Sequence, residues 1–76
     1  MSIEIRIPSL GAGMSEGTLT EWLAEDGAEV SVGDLIYSLE SEKTVQEIEA
    51  PGAGVLRRIA TEGEIYPVGE LIGRIE

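Results

Sequence analysis

The segment Leu35-Ile36-Tyr37-Ser38-Leu39-Glu40-Ser41-Glu42-Lys43-Thr44-Val45-Gln46-Glu47-Ile48-Glu49-Ala50 reads as two strands joined by a polar turn. On the first arm, Leu35, Tyr37 and Leu39 recur at every second position. On the second arm the same period runs through Gln46, Ile48 and Ala50, with Gln46 its imperfect member. A period of two places successive side chains on opposite faces of a strand. The centre, Ser41-Glu42-Lys43-Thr44, is polar throughout, which predicts a four-residue turn with Glu42 and Lys43 at its corners.

Outward from this hairpin, ten glycines punctuate the chain, and brief stretches rich in Ile, Val and Leu lie between them. That pattern predicts short strands and turns rather than helices. The candidate strands are Ile3–Ile7, Thr18–Leu23, Leu35–Ser41, Val45–Ala50, Val55–Ile59 and Leu71–Ile75, with two very short ones at Glu29–Val30 and Ile65–Tyr66. The stretch Thr20–Glu25 could pass for a helical turn, but Gly17 and Gly27 bound it too closely for a stable helix.

The chain also repeats itself. Gly27, Val32, Gly33, Asp34, Leu35 and Ile36 recur as Gly63, Val68, Gly69, Glu70, Leu71 and Ile72, each 36 residues later. At shifted offsets, Ile5-Arg6-Ile7-Pro8 pairs with Ile48-Glu49-Ala50-Pro51, and Gly17-Thr18-Leu19 pairs with Gly54-Val55-Leu56. One half of this size cannot bury an apolar face alone. The halves are therefore expected to pack about a pseudo-two-fold axis as two small sheets face to face. They meet near residues 41–45, which puts Lys43 close to that axis.

The halves differ in one place. Nine positions separate Pro8 from Gly17, but only three separate Pro51 from Gly54, so the first half carries a six-residue excess in a Gly-rich loop. Extra loop on one half of a symmetric scaffold is a candidate recognition element; a tolerated insertion is the plain alternative.

Composition narrows the function. The chain has 76 residues, which is one domain with a modest core and no room for a deep cleft with its supporting shell. An autonomous enzyme is not expected. With no cysteine and no histidine, disulfides, thiolate or imidazole metal sites, cysteine nucleophiles and Ser-His triads are all excluded. A net charge of −10 repels phosphate backbones and anionic lipid, so neither nucleic acid nor a membrane surface is an expected partner. No apolar run is long enough to span a bilayer, and Met1-Ser2-Ile3-Glu4 lacks the basic and apolar regions of a signal peptide, so a cytoplasmic location is expected.

Lys43 is the sole lysine. If an acyl group is to be placed on one defined ε-amine, a chain with one lysine offers no competitor. The bland alternative is an ordinary turn residue paired with Glu40 or Glu42, and such surface pairs contribute little. A Schiff-base lysine needs an apolar pocket or neighbouring cations. Lys43 instead has Glu40, Glu42 and Glu47 nearby in sequence, so unaided it is expected to be a poor nucleophile and a substrate for another enzyme.

Other motifs carry less. Gly11, Gly13 and Gly17 do not fit the dinucleotide fingerprint, and no helix follows them. Trp22 is expected to be a half-buried packing residue. Glu40, Glu42, Glu47 and Glu49 read as a solvated face rather than a calcium site.

Taken together, Glu40-Ser41-Glu42-Lys43-Thr44 followed by Ala50-Pro51-Gly52-Ala53-Gly54 resembles the lipoyl-attachment motif of biotinyl/lipoyl carrier domains. The Gly33-Asp34-Leu35 and Gly69-Glu70-Leu71 pair is similar to that family's internal repeat. Ile7-Pro8-Ser9-Leu10-Gly11 and Glu16-Gly17-Thr18-Leu19 resemble the N-terminal lipoyl domains of 2-oxo acid dehydrogenase acyltransferases. The resemblance spans essentially residues 1–76 as one carrier domain. It implies an all-β fold: a flattened β-barrel or sandwich of two four-stranded antiparallel sheets, with the lysine at one tip. It implies lipoic acid in amide linkage on Lys43, installed by a lipoate ligase or octanoyl transferase that reads Glu42 and Thr44. The arm would swing between a thiamine-dependent 2-oxo acid decarboxylase, the acyltransferase core and dihydrolipoamide dehydrogenase. The loop Gly11, Ala12, Gly13, Met14, Ser15 and Glu16 would sit beside the lysine and serve recognition by the decarboxylase. The domain itself would be a monomeric, non-catalytic carrier without a metal.

The triplet Glu42-Lys43-Thr44 departs from the family's commonest Asp-Lys-Ala by one methylene at the acidic position. Biotin carriers usually place Met on both sides of the lysine, which neither Glu42 nor Thr44 matches. A biotin carboxyl carrier, and an unmodified adaptor of the same fold as in membrane-fusion proteins, are the alternatives.

Overall fold

A computed structural model describes residues 2–76; Met1, the first residue of the expected domain, lies outside them. Eight strands follow in chain order: β1 Ile3–Arg6, β2 Glu16–Trp22, β3 Glu29–Val30, β4 Leu35–Glu40, β5 Val45–Glu49, β6 Gly54–Arg58, β7 Ile65–Pro67 and β8 Leu71–Ile75. No helix occurs among the described residues, so Thr20–Glu25 forms no helical turn. The bounds differ from the sequence expectation by a residue or two at half of the ends, because the ladders stop where the chain turns away and not where apolar character stops.

The strands form two four-stranded antiparallel sheets in the orders β1-β8-β6-β3 and β5-β4-β2-β7. Exchanging the halves, so that β1 becomes β5, β2 becomes β6, β3 becomes β7 and β4 becomes β8, turns one order into the other. The expected pseudo-symmetry is therefore present in the topology. Single hydrogen bonds repeat it too. Ile7 N–H donates to Glu70 O and Gly69 N–H to Ile7 O; the counterparts run from Ala50 N–H to Asp34 O and from Gly33 N–H to Ala50 O. Gly33 and Gly69 both have φ of 93°, a turn conformation closed to most side chains, which accounts for glycine at both positions.

The core lies between the sheets. Ile5, Leu56, Ile72 and Ile75 come from one sheet, and Leu19, Trp22, Ile36, Tyr37 and Leu39 from the other. Each fully buried aliphatic among them stabilises the fold by about 1.5–3 kcal/mol relative to exposure, which is how so short a chain offsets its many glycines. No ladder joins the sheets into a closed barrel among the described residues; they pack as a sandwich.

Three details depart from the simple pattern. In the β4–β5 ladder the register shifts between Leu35 and Tyr37. Alternation is lost there: Leu35 is exposed, while Ile36, Tyr37, Ser38 and Leu39 are all buried because β4 is flanked by β2 and β5. In the β2–β4 ladder the register shifts between Leu19 and Glu21, so the first half holds one residue more. That extra residue explains why Gly17 and Gly54 are 37 positions apart but Gly27 and Gly63 only 36. Finally, Trp22 is buried rather than half-buried. Its Nε1–H donates to Ala60 O at 3.1 Å, its ring meets Tyr37 at 5.7 Å between centroids, and the Arg58 guanidinium lies 5.4 Å from its ring centroid. Room for the indole comes from Gly73, where a Cβ would lie 3.2 Å from Trp22 Cη2.

Candidate functional site

The β4–β5 ladder runs out to the pair Glu40 and Val45, leaving Ser41-Glu42-Lys43-Thr44 as the connecting turn. Ser41 closes it: its backbone N–H donates to Thr44 O at 2.8 Å, and its Oγ donates to the same oxygen at 3.3 Å. Both bonds bracket Glu42 and Lys43, so the turn backbone is held while both side chains stand in solvent. Lys43 sits at the apex between two adjacent antiparallel strands, as the hairpin pattern predicts.

The ion pairs among the described residues all use arginine: Arg6 with Glu4, Arg57 and Arg74 with Glu76, and Arg58 with Glu62. Lys43 is in none of them, so its expected alternative role as a partner of Glu40 or Glu42 is not seen. The four arginines belong to β1, β6 and β8 of one sheet. The strands of the other sheet carry Glu16, Glu21, Glu40, Glu47 and Glu49 and no basic residue. Lys43 is therefore a lone cation at the end of an acidic sheet. No cluster that could hold a metal occurs among the described residues.

The Gly-rich loop lies beside this turn. Residues Leu10–Thr18 and Glu40–Thr44, with Ile65, line one open groove of about 960 Å³. All six loop residues singled out in the sequence, Gly11 to Glu16, are thus brought together with Glu42, Lys43 and Thr44. The loop turns through a bond from Met14 N–H to Gly11 O at 3.3 Å, with Gly13 at φ 82°. It joins the body where Val68 N–H donates to Ser15 O and Glu16 pairs with Pro67. Just beyond, Gly17 is buried, and a Cβ there would lie 2.9 Å from Leu39 Cδ1 and 3.3 Å from Glu40 O. The absent side chain lets β2 press on the end of β4 directly beneath the lysine turn.

Leu10, Gly17, Thr18, Glu40, Ser41 and Ile65 also line the groove and had no site role from the sequence, although Glu40 and Ser41 belong to the motif quoted there. Glu40 and Ser41 were within reach, being next to the turn. Ile65 was not, because only the β2–β7 pairing, Thr18 with Ile65, carries it there.

The exchange of halves carries the end of β4, where the turn begins, onto the end of β8, so the turn is the counterpart of the paired termini and Lys43 lies off the pseudo-two-fold axis rather than close to it. Trp22 lies on Gly73, reaches Ala60 and stacks with Arg58, so the last residues of β2 and β6 meet there. From there, one sheet runs out to Thr18 and Glu40 beside the turn, and the other to Leu56, Ile75 and Ile3. The molecule measures 32 × 20 × 18 Å.

An exposed lysine at a hairpin apex between two symmetric halves is compared most usefully with known carriers. A family model for biotin and lipoyl attachment, described as "Biotin-requiring enzyme", matches residues 3–75. The chain belongs to the biotin/lipoyl family. Within it, the solved lipoyl domain of the 2-oxoglutarate dehydrogenase complex from Azotobacter vinelandii superposes with a TM-score of 0.81 at 31% identity, covering 97% of this chain and 95% of that one. The dihydrolipoyllysine-residue acetyltransferase component of the acetoin cleaving system of Cupriavidus necator is 43% identical over 72 residues, which is 93% of this chain and 19% of that protein. The dihydrolipoyllysine-residue succinyltransferase component of the 2-oxoglutarate dehydrogenase complex of Bacillus subtilis is 38% identical over 73 residues, 95% of this chain and 18% of that protein. This biotin/lipoyl domain thus spans less than a fifth of the length of those curated relatives. It is similar to one segment of each, and the lipoyl reading is favoured over the biotinyl one.

Proposed function

We propose that residues 1–76 form one non-catalytic carrier domain that receives lipoic acid on Lys43 and carries acyl groups between the active sites of a 2-oxo acid dehydrogenase complex. The observation that carries this reading is the position of the sole lysine, exposed at the apex of a closed hairpin turn.

The residues fit the group. A lipoyl chain needs one primary amine that a second enzyme can enclose, and Lys43 has neither an ion pair nor a hydrogen bond among the described residues to break. A lipoate ligase or octanoyl transferase would present an activated carboxyl carbon to Nζ. The C–N bond forms, the activating group leaves with the electron pair of its bond, and Nζ gives up a proton. When bound, the dithiolane would supply a disulfide that takes up an acyl group and two electrons, its S–S bond opening to one thioester and one thiol. The protein's own part is positional. Ser41 fixes the turn, Glu42 and Thr44 present its two shoulders, and the loop from Gly11 to Glu16 offers a second contact on the same side. Since Ile3 and Ile75 pair at the far end, a tether attached there leaves the lysine end clear. The partners on this reading are a thiamine-dependent decarboxylase, an acyltransferase core and dihydrolipoamide dehydrogenase, acting in the cytoplasm.

Intact-mass analysis after co-expression with a lipoate ligase and lipoate tests the reading. A lipoyl increment supports it; a biotinyl increment in cells competent for both, or none, overturns it.

A further inference from the structure

We propose that Met14 is the positioning residue of the lysine groove: its thioether is the one side chain of the Gly11–Glu16 loop that packs on the core, it holds the loop at a fixed place beside Lys43, and so it sets how a partner recognises the domain. The recognition half of this inference rests on the carrier reading above.

The loop has no counterpart in the second half of the molecule, where Pro51 and Gly54 are three positions apart. Nothing in the symmetric scaffold therefore obliges it to take one position. Of its six residues, five are exposed, and Met14 alone is partly buried and packed against the core. Two contacts fix it. The backbone N–H of Leu10 donates to Met14 Sδ at 3.1 Å, which closes the loop on itself. Met14 Cε lies 2.9 Å from where a Gly17 Cβ would stand, in the space beside Leu39 and the end of β4. The same glycine that lets β2 approach the lysine hairpin thus provides the seat for the methionine. A thioether suits this position: it is long and adaptable, and its sulfur is a weak acceptor that satisfies one backbone donor. Without it the loop keeps the Met14–Gly11 and Ser9–Gly11 bonds, which are internal to the loop or next to it, and, at its exit, the Val68–Ser15 bond and the pairing of Glu16 with Pro67. Segments with so few ties open locally at low cost.

The test uses this chain, lipoylated, as wild type, Met14→Leu and Met14→Ala. Leucine keeps apolar volume and removes the acceptor; alanine removes both. Amide hydrogen exchange at Leu10 reads the anchor directly, and exchange within β4 and β8 reports whether the fold is intact. Exchange at Leu10 and across residues 11–16 should rise roughly tenfold or more in Met14→Ala, and at Leu10 in Met14→Leu, with the strands unchanged. Reductive acylation by decarboxylases specific for pyruvate and for 2-oxoglutarate, with labelled substrate, should show KM for the domain raised in Met14→Ala and kcat unchanged. A Leu10 amide that exchanges freely in the wild type, or equally in wild type and Met14→Ala, overturns the anchor. Raised exchange with unchanged KM overturns its role in recognition. Failure of the carrier reading looks different: the wild type itself would stay unacylated by every decarboxylase, while Leu10 exchange would still decide the anchor.

Discussion

Alanine substitution at Gly17 and Gly54 separates two constraints at equivalent positions of the pseudo-two-fold. At Gly54, φ is 152°, and an added Cβ would lie 2.5 Å from Glu76 O, 2.8 Å from Ile75 Cγ2 and 3.2 Å from the Glu76 carbonyl carbon. Backbone cannot step aside. The strained conformation costs about 1–3 kcal/mol, and overpacking adds about 1–3 kcal/mol. Gly17 has no positive φ; its nearest obstacles, Leu39 Cδ1 and Met14 Cε at 2.9 Å, are the ends of flexible side chains, and the backbone oxygen of Glu40 stands further off at 3.3 Å, against 2.5 Å for Glu76 O at Gly54. There the expected cost is overpacking alone, about 1–2 kcal/mol. A domain of this length is stable by about 4–11 kcal/mol in total, at roughly 0.05–0.15 kcal/mol per residue. Gly54→Ala should therefore remove a large share of the stability, and Gly17→Ala should be survivable. Urea unfolding followed by the fluorescence of Trp22, the single tryptophan, measures both, with similar slopes confirming comparable transitions. A thermal midpoint lowered by at least about 12 °C for Gly54→Ala is the matching expectation. If Gly17→Ala proves as damaging as Gly54→Ala, the distinction between backbone and side-chain obstacles is wrong here.

Trp22→Phe removes the donor to Ala60 O and should cost about 1–3 kcal/mol in urea unfolding followed by far-ultraviolet circular dichroism, which needs no tryptophan, with the folded spectrum retained. Burial pushes the Tyr37 phenol from 10.0 up to about 12. The folded state then holds a proton that the unfolded chain releases, so this contribution to stability is complete below pH 10 and is lost as the pH rises toward 12. Melts at pH 9, 10 and 11 should show that decline, and Tyr37→Phe should flatten it.

Much of this was legible because short-range chemistry and long-range architecture agree. The alternation of Ile48 and Ala50 with Glu47 and Glu49, the polar centre at 41–44 and the paired glycines at 33 and 69 each act within a few residues, so pattern reading reaches them. The repeat extended that reach, since two halves that cannot stand alone must pack on each other. The burial of Ile36 was not legible, because it depends on a register shift that only the β5 partner imposes. Trp22 was underestimated for a similar reason: its seat is Gly73, in the other half and the other sheet. At the candidate site, the turn could be read from the chain itself. The placement of the Gly11–Glu16 loop beside it needed the β2–β4 pairing, and the seat of Met14 beside Leu39 needed the tertiary fold.

The central claim is that one amine at a hairpin apex takes the acyl group. Tandem mass spectrometry of peptides spanning residues 35–50, from chain lipoylated in vitro, tests it most directly when Lys43→Arg is carried in parallel. Lys43 is exposed, so the variant should unfold within about 0.5 kcal/mol of the wild type. The account predicts the lipoyl fragment on Lys43 alone and none on the folded variant. An adduct that persists on Lys43→Arg, or a wild type left bare by an active ligase, would contradict it.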